Sequence, residues 1–286
     1  MAAFAAYALW GMLPAYLKLL THLPAGLVLA HRIVWSVPAA ALVLWLARDW
    51  EKVRPALSAN VLKALVVSSL LIGVNWAIYV WAVGAGRVIE ASLGYFLNPL
   101  VNVALGVFLL RERLRWPQGL ALTLAGAGVA NQMLAVGQVP WVALTLCGTF
   151  ALYGLMRKRT VVDARAGLMV EAGLLAPLAL GGLALYAGTG TAIAGDGGLD
   201  LALLVLAGPV TAVPLILFAF GARRLRLSTL GLLQYIAPTG QMLLGLSFGE
   251  QFTPAHAVTF GLIWSGLALY SFTTLRAEHR ARQLAG

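Results

Sequence analysis

The sequence of 286 residues predicts an all-α polytopic membrane protein of ten transmembrane helices. Three observations predict it. Hydrophobic residues make up 61% of the chain and charged residues only 10%, with mean hydropathy +0.87, whereas a water-soluble domain carries about 25% charged residues. Apolar runs of the roughly 20 residues needed to cross a bilayer fill nearly the whole chain, leaving no room for an appended soluble domain. The basic residues fall in short clusters between those runs.

Taken in order, the runs between charge clusters and turn signals predict spans at 2–20, 25–47, 61–84, 91–110, 116–134, 140–156, 167–187, 201–222, 227–248 and 255–274. The first run lacks a basic leader and a convincing cleavage site, so it is expected to be a retained span. Orientation follows from the cations. With the N-terminus in the cytoplasm, the inner side collects Arg48, Lys52, Arg54 and Lys63, then Arg111, Arg113 and Arg115. It also collects Arg157, Lys158, Arg159 and Arg165, then Arg223, Arg224 and Arg226, and finally Arg276, Arg280 and Arg282. That is 17 of the 20 basic residues, against Arg87 alone in the outer loops and Lys18 and Arg32 inside spans. Both termini are therefore expected to be cytoplasmic. The same alternation explains the net charge of +10 without nucleic acid. The single cysteine, Cys147, lies in an apolar run and permits no internal disulfide or CxxC site.

An internal repeat divides the chain. Ala82-Val83-Gly84-Ala85-Gly86-Arg87, running on to Ala91-Ser92-Leu93-Gly94, matches 219–231 at six of thirteen positions with a shift of 137. About one or two matches are expected at background composition. At a shift of 139, Arg32 and Pro38 correspond to Glu171 and Pro177, Pro99 to Pro238, and Gly106 to Gly245; Glu112 and Glu250 lie near the exits of the fourth and ninth spans. Five spans separate the copies, an odd number, so the halves 1–134 and 140–274 run in opposite directions, followed by a tail at 275–286. Inverted repeats of this kind recur in secondary transporters, with the solute site near the midplane. The bland alternative is chance similarity among helices rich in Ala, Gly and Leu.

Several segments carry a family resemblance: His31-Arg32-Ile33-Val34-Trp35-Ser36, Asn75-Trp76 with Trp81-Ala82-Val83, and Glu90 to Leu100 (EASLGYFLNPL). Leu225-Arg226-Leu227-Ser228-Thr229-Leu230-Gly231 and Gln234-Tyr235-Ile236-Ala237-Pro238 complete the set. Through them the chain resembles the RarD-like branch of the EamA family, in the drug/metabolite transporter superfamily. The resemblance implies ten helices in a five-plus-five inverted arrangement around a central cavity in a bacterial inner membrane. It also implies export of small polar metabolites, amino acids including aromatic ones, or of drugs resembling chloramphenicol.

Charge inside a bilayer costs at least ~2.5 kcal/mol for arginine. Arg32 lies seven residues into its span, roughly 10 Å from the outer edge at 1.5 Å per residue, and needs a partner or water. Glu90, at the outer start of the fourth span, is the acidic candidate by depth. Glu171 lies near the inner face, where Arg224 or Arg226 could meet it. The two pairs are expected to brace opposite ends of the cavity, as gates or as permanent clamps. His31 points about 100° away from Arg32, as a proton-coupling group or simply a hydrogen bond in the bundle. Lys18 is expected to snorkel to the outer interface.

The uncharged binding candidates are Asn75, Trp76 and Tyr79 in the third span, Tyr95 and Asn98 in the fourth, Tyr153 in the sixth, and Gln234 and Tyr235 before Pro238. Amides are costly in hydrocarbon without partners, so they should face inward, though core packing explains any one of them equally well. Trp35 is the tryptophan expected to face the cavity, whereas Trp10 and Trp45 read as interfacial belt. Pro14, Pro38, Pro99, Pro177, Pro214 and Pro238 are hinge candidates, since proline frees a carbonyl and bends a helix.

An intramembrane enzyme would need an acid pair or metal ligands within the membrane. The aspartates fall outside or at span edges, and the four histidines show no ligand spacing. A channel would need a filter, of which nothing is visible. The expected partners are a small-molecule solute and the bilayer, with no cofactor, metal or nucleic acid, and a monomer or a dimer both fit. No ATP-binding loop is present, so transport is expected to be facilitated or ion-coupled.

Overall fold

A computed structural model describes residues 1–111, 116–222 and 233–283. Every regular element among these residues is helical: α1 (Ala2–Lys18), α2 (Ala25–Ala47), a 3-10 turn (Trp50–Lys52), α3 (Val53–Ala56), α4 (Ala59–Gly84) and α5 (Val88–Leu110). Then come α6 (Trp116–Val136), α7 (Trp141–Arg159), α8 (Ala164–Gly188), α9 (Gly198–Ala222), α10 (Ile236–Ser247) and α11 (Pro254–Gln283).

Each predicted span overlaps one helix. Seven of the described helices, α2, α4, α5, α6, α8, α9 and α11, are long and apolar enough to cross a bilayer by length and composition. The polytopic all-α class rests on those seven. Of the rest, α1 has 17 residues, α7 ends in the basic run Arg157-Lys158-Arg159, and α10 has 12 residues, the start of its predicted span lying outside the described residues. The first part of the expected tail is helical. Residues 275–283 continue α11, because they contain no Gly or Pro and several strong helix formers.

Acidic side chains set several helix starts. The Asp163 carboxylate accepts the amides of Arg165 at 3.0 Å and Ala166 at 3.5 Å and so caps α8. Glu250 accepts the Val88 and Ile89 amides at 2.6 and 2.8 Å, capping α5 from a distant part of the chain. At the other end, α2 and α5 stop at Arg48 and Arg111, both in the left-handed region at φ 55°.

The exterior is apolar. Phe108, Leu134 and Leu185 are 79%, 86% and 74% exposed, a surface that matches hydrocarbon and would drive association in water. The interior joins helices distant in sequence. One apolar cluster holds Leu13, Leu27, Tyr79, Val88, Leu146 and Leu204. Another holds Phe96, Ala121, Cys147, Met242 and Phe260.

Helix starts recur at a nearly constant separation. α1 and α7 begin 139 residues apart, as do α2 and α8, and α4 and α9; α6 and α11 begin 138 apart. Helix contacts exchange under that shift. α4 packs on α7 and α9 on α1, while α5 packs on α7 and α10 on α1; α2 packs on α8 and α6 on α11. The tightest example is reciprocal. A side chain at Gly128 would meet the Thr259 carbonyl at 3.0 Å, and one at Gly266 would meet the Ala121 carbonyl at 2.9 Å. Both glycines and both carbonyls are 138 residues apart, so α6 and α11 present the same surface to each other.

Candidate functional site

The buried polar groups of α2, α4, α5, α7, α8 and α9 form a chain through the bundle, with a group of paired charges at each end. At the end carrying the α1–α2 turn, His22 Nε2 lies 3.0 Å from Asp200 Oδ2, which also accepts the Asp196 amide at 2.9 Å. That hydrogen bond raises the His22 pKa above its usual value. His22, Asp196 and Asp200 bring ligand-type atoms within 4.8 Å of one another, a grouping that linear spacing could not reveal. We read it as a clasp between the α1–α2 turn and the start of α9. Beside it, Tyr16 donates to the Leu203 carbonyl at 2.7 Å.

One step deeper, His31 Nε2 lies 2.7 Å from the Ile193 carbonyl, so it must carry the proton, and Nδ1 accepts Trp35 Nε1–H at 3.2 Å. Both ring nitrogens are engaged in a neutral imidazole. His31 and Trp35 thus hold each other on successive turns of α2.

Arg32 is 6% exposed. Its position follows from a close crossing: Trp35 and Gly208 stand ten residues into α2 and α9, and the Trp35 carbonyl occupies the place where a side chain at 208 would be. Across that crossing Arg32 Nε donates to Thr211 Oγ1 at 3.2 Å, and Thr211 donates onward to the Ala207 carbonyl at 2.9 Å. The guanidinium lies 4.7 Å from the centre of the Trp76 ring. Among the described residues its Nη1 has no hydrogen-bond partner, and neither does the buried hydroxyl of Tyr79.

The expected Arg32–Glu90 pair does not form. Glu90 binds Arg87 Nη2 at 2.7 Å and accepts the Val142 amide at 3.1 Å, so it caps α7. The physical reason is local. An acid at the start of α5 finds a cation one turn away and an adjacent helix N-terminus, both closer to hand than the buried arginine.

From Arg32 the polar chain continues through α4 and α5. Asn75 donates to the Leu146 carbonyl at 3.0 Å and to Thr149 Oγ1 at 2.9 Å, and its Oδ1 accepts Tyr95 O–H at 3.1 Å. Asn75 and Tyr79 share a buried face, as their spacing predicts. The Tyr95 ring meets Tyr79 at 5.7 Å and Phe150 at 6.0 Å, and Phe150 meets Tyr153 at 6.1 Å. Asn98 is buried, and its Oδ1 has no hydrogen-bond partner among the described residues. Tyr153 then donates to Glu171 Oε2 at 3.2 Å, Ser68 donates to Oε1 at 2.5 Å, and Arg157 Nη1 lies 3.7 Å from Oε1. Arg224 and Arg226, the partners expected for Glu171, lie outside the described residues; among those described its cation is Arg157, in the last turn of α7 before the α7–α8 connection. Beyond it Asp49 pairs with Lys52 at 2.6 Å and with Arg165.

The remaining candidates sit away from this chain. Tyr235 stacks on Phe96 at 6.4 Å, and Gln234 is half-buried beside it. Of the prolines, Pro14, Pro214 and Pro238 are buried, Pro99 is half-buried, and Pro38 and Pro177 face outward. Pro238 falls in the first turn of α10, where a missing amide breaks no helical hydrogen bond, so within the described helix it is no hinge. Pro14 frees the Trp10 carbonyl, and Gln241 Nε2 takes it up at 3.3 Å. Lys18 lies 5.3 Å from the Phe248 ring.

Thr211, Thr149, Phe150, Ser68, Arg157 and Gln241 were not singled out in the sequence. Hydroxyls and an amide in apolar spans are the signal that could have found four of them. A cavity of about 330 Å³ lies elsewhere, an apolar groove between α2, α4 and α8 lined by Leu29, Ile33, Val74, Leu175 and Gly182 among others. Its lining has no chemistry to match the polar chain, so we place the site at the latter.

Known proteins match this chain over nearly all its length. The model of the EamA-like transporter family matches residues 1–131. The uncharacterized transporter YojE of Bacillus subtilis is 43% identical over 281 residues, covering 96% of this chain and 94% of that protein. Protein RarD of Escherichia coli is 42% identical, covering 97% and 95%. The chloramphenicol-sensitive protein RarD of Pseudomonas aeruginosa is 33% identical, covering 96% and 93%. A solved crystal structure 22% identical to this chain shares its fold with a TM-score of 0.60, covering 94% of this chain and 95% of that one. The chain is thus a multi-pass bacterial inner-membrane transporter and belongs to the EamA family, in the RarD-like branch of the drug/metabolite transporter superfamily.

Proposed function

We propose that this transporter is a secondary carrier that exports small polar metabolites, amino acids and aromatic ones among them. It works by alternating access between two inverted five-helix halves, 1–134 and 140–274, with both termini in the cytoplasm. The observation that carries this reading is the chain of buried polar and aromatic groups from Arg32 to Glu171, inside a bundle whose outside is apolar. Amides and hydroxyls beside aromatic rings suit a zwitterion with an apolar side chain. The helix starts that recur at 138–139 residues, and the reciprocal Gly128 and Gly266 contacts, support two halves that can rock against each other.

Uptake into liposomes holding the purified protein tests it. The panel covers amino acids, nucleosides and chloramphenicol, with and without a pH gradient. Saturable, competable flux of amino acids is expected. Flux that rises linearly with concentration, or none for any amino acid, would refute the reading. Saturable flux of chloramphenicol alone would favour a drug permease, the second reading, which the name of the Pseudomonas relative motivates.

A further inference from the structure

We propose that Arg32, with Trp76 and Tyr79 around it, is the subsite that takes the carboxylate of the transported solute. The inference rests on the transport reading and narrows it to solutes that carry a carboxylate.

A guanidinium inside a bilayer needs a counter-charge. Among the described residues no carboxylate pairs with Arg32. Glu90 is committed to Arg87 and the Val142 amide, and Glu171 to Arg157, Ser68 and Tyr153. The described groups around the guanidinium are neutral: the Thr211 hydroxyl, the Trp76 ring, and the phenols of Tyr16, Tyr79 and Tyr95. The arrangement is also incomplete in a specific way. Nε is used by Thr211 and one face is covered by Trp76, while Nη1, buried, has no hydrogen-bond partner among the described residues. Tyr79, 2% exposed, has a hydroxyl that likewise makes no hydrogen bond.

An unpartnered buried polar atom is destabilising, and here two of them belong to groups that can donate. A carboxylate answers both needs. It supplies the missing negative charge and accepts from the free edge of the guanidinium fork and from a phenol, the geometry that favours arginine over lysine. Asn75, on the same face of α4 as Tyr79, and the rings of Tyr95 and Phe150 then lie along the path that the rest of the solute would follow.

The test uses the full-length protein in nanodiscs. Thermal stabilisation is titrated with each amino acid, with its carboxamide, and with sodium chloride. At least one amino acid should stabilise the protein, its carboxamide binding roughly 10- to 100-fold more weakly, as loss of a charge-assisted contact predicts. Arg32→Gln should abolish that preference, and Arg32→Lys should restore only part of it. Should Arg32→Gln fail to fold, Trp76→Phe and Thr211→Val leave the cation in place and should each weaken the acid several-fold more than the amide. Equal binding of acid and amide, unchanged preference in these variants, or equal protection by chloride would overturn the subsite. The liposome panel keeps the two readings apart. Saturable flux of amino acids with no carboxylate preference sinks the subsite alone, whereas absence of any saturable flux sinks the transport reading.

Discussion

Arg32 in α2 and Glu171 in α8 stand 139 residues apart, each seven residues beyond the start of its helix, and the structure treats them in opposite ways. Glu171 is 2% exposed and saturated: two hydroxyls donate to its oxygens and Arg157 balances its charge. Arg32 is almost as deeply buried and, among the described residues, keeps an unbonded Nη1 with no acid paired to it. Equivalent position does not confer equivalent role. A charge completed by its own protein holds helices together, and a charge left incomplete is available to something else.

Mutations can break this contrast, and the largest effect should come from the saturated end. Arg157→Met leaves Glu171 buried without its cation, which should cost about 3–5 kcal/mol of stability. Thermal melts in detergent should show that loss, and Arg157→Met with Glu171→Gln should recover most of it. Arg32→Met strands no counter-charge and forfeits mainly the Trp76 contact, about 1–2 kcal/mol. It should therefore melt close to the parent while solute flux falls at least about tenfold. Equal destabilisation by the two substitutions would mean that Arg32 has a hidden partner.

Next in size are the close crossings. Gly128→Ala and Gly266→Ala should each cost about 1–3 kcal/mol, because both would push on a carbonyl of the facing helix. Markedly unequal losses would weaken the two-fold relation of α6 and α11. Glu90→Ala removes the cap of α7 and should cost about 0.5–2 kcal/mol. Exchanging the charges of Arg32 and Glu90 should not rescue flux, since Glu90 pairs with Arg87.

The smallest effect is a pH response at the His22–Asp200 clasp. A histidine whose pKa is raised on folding stabilises fully below its unfolded value of 6.5, and that contribution is lost as pH rises through the raised value. Spin labels at Thr21→Cys and Ala192→Cys, in a Cys147→Ala background, should report a narrower distance distribution at pH 5.5 than at 8.5. His22→Asn should remove the difference.

Seven apolar spans, the shared face of Asn75 and Tyr79, and the placement of Arg32 inside an apolar helix were legible in one dimension. Each depends on composition or on a period of 3.6 residues, as with Asn75 and Tyr79 one turn apart on α4. The partners were not. Glu90 was expected to answer Arg32 because depth alone cannot register that Arg87 lies one turn away and that the first turn of α7 opens beside it. Thr211, 179 residues from Arg32, is found only because the Gly208 crossing lets α9 touch α2. Ser68 meets Glu171 across 103 residues in the same way.

From its residues alone this protein is a multi-span helical bundle with a doubled pattern and a few polar groups that hydrocarbon cannot tolerate unpaired, because transfer energies act on each side chain locally. Which of those groups would be paired by the protein, and which left open, was decided only when helices distant in sequence came into contact. Hydrogen bonds act over about 3 Å, and no linear spacing encodes which helix stands opposite.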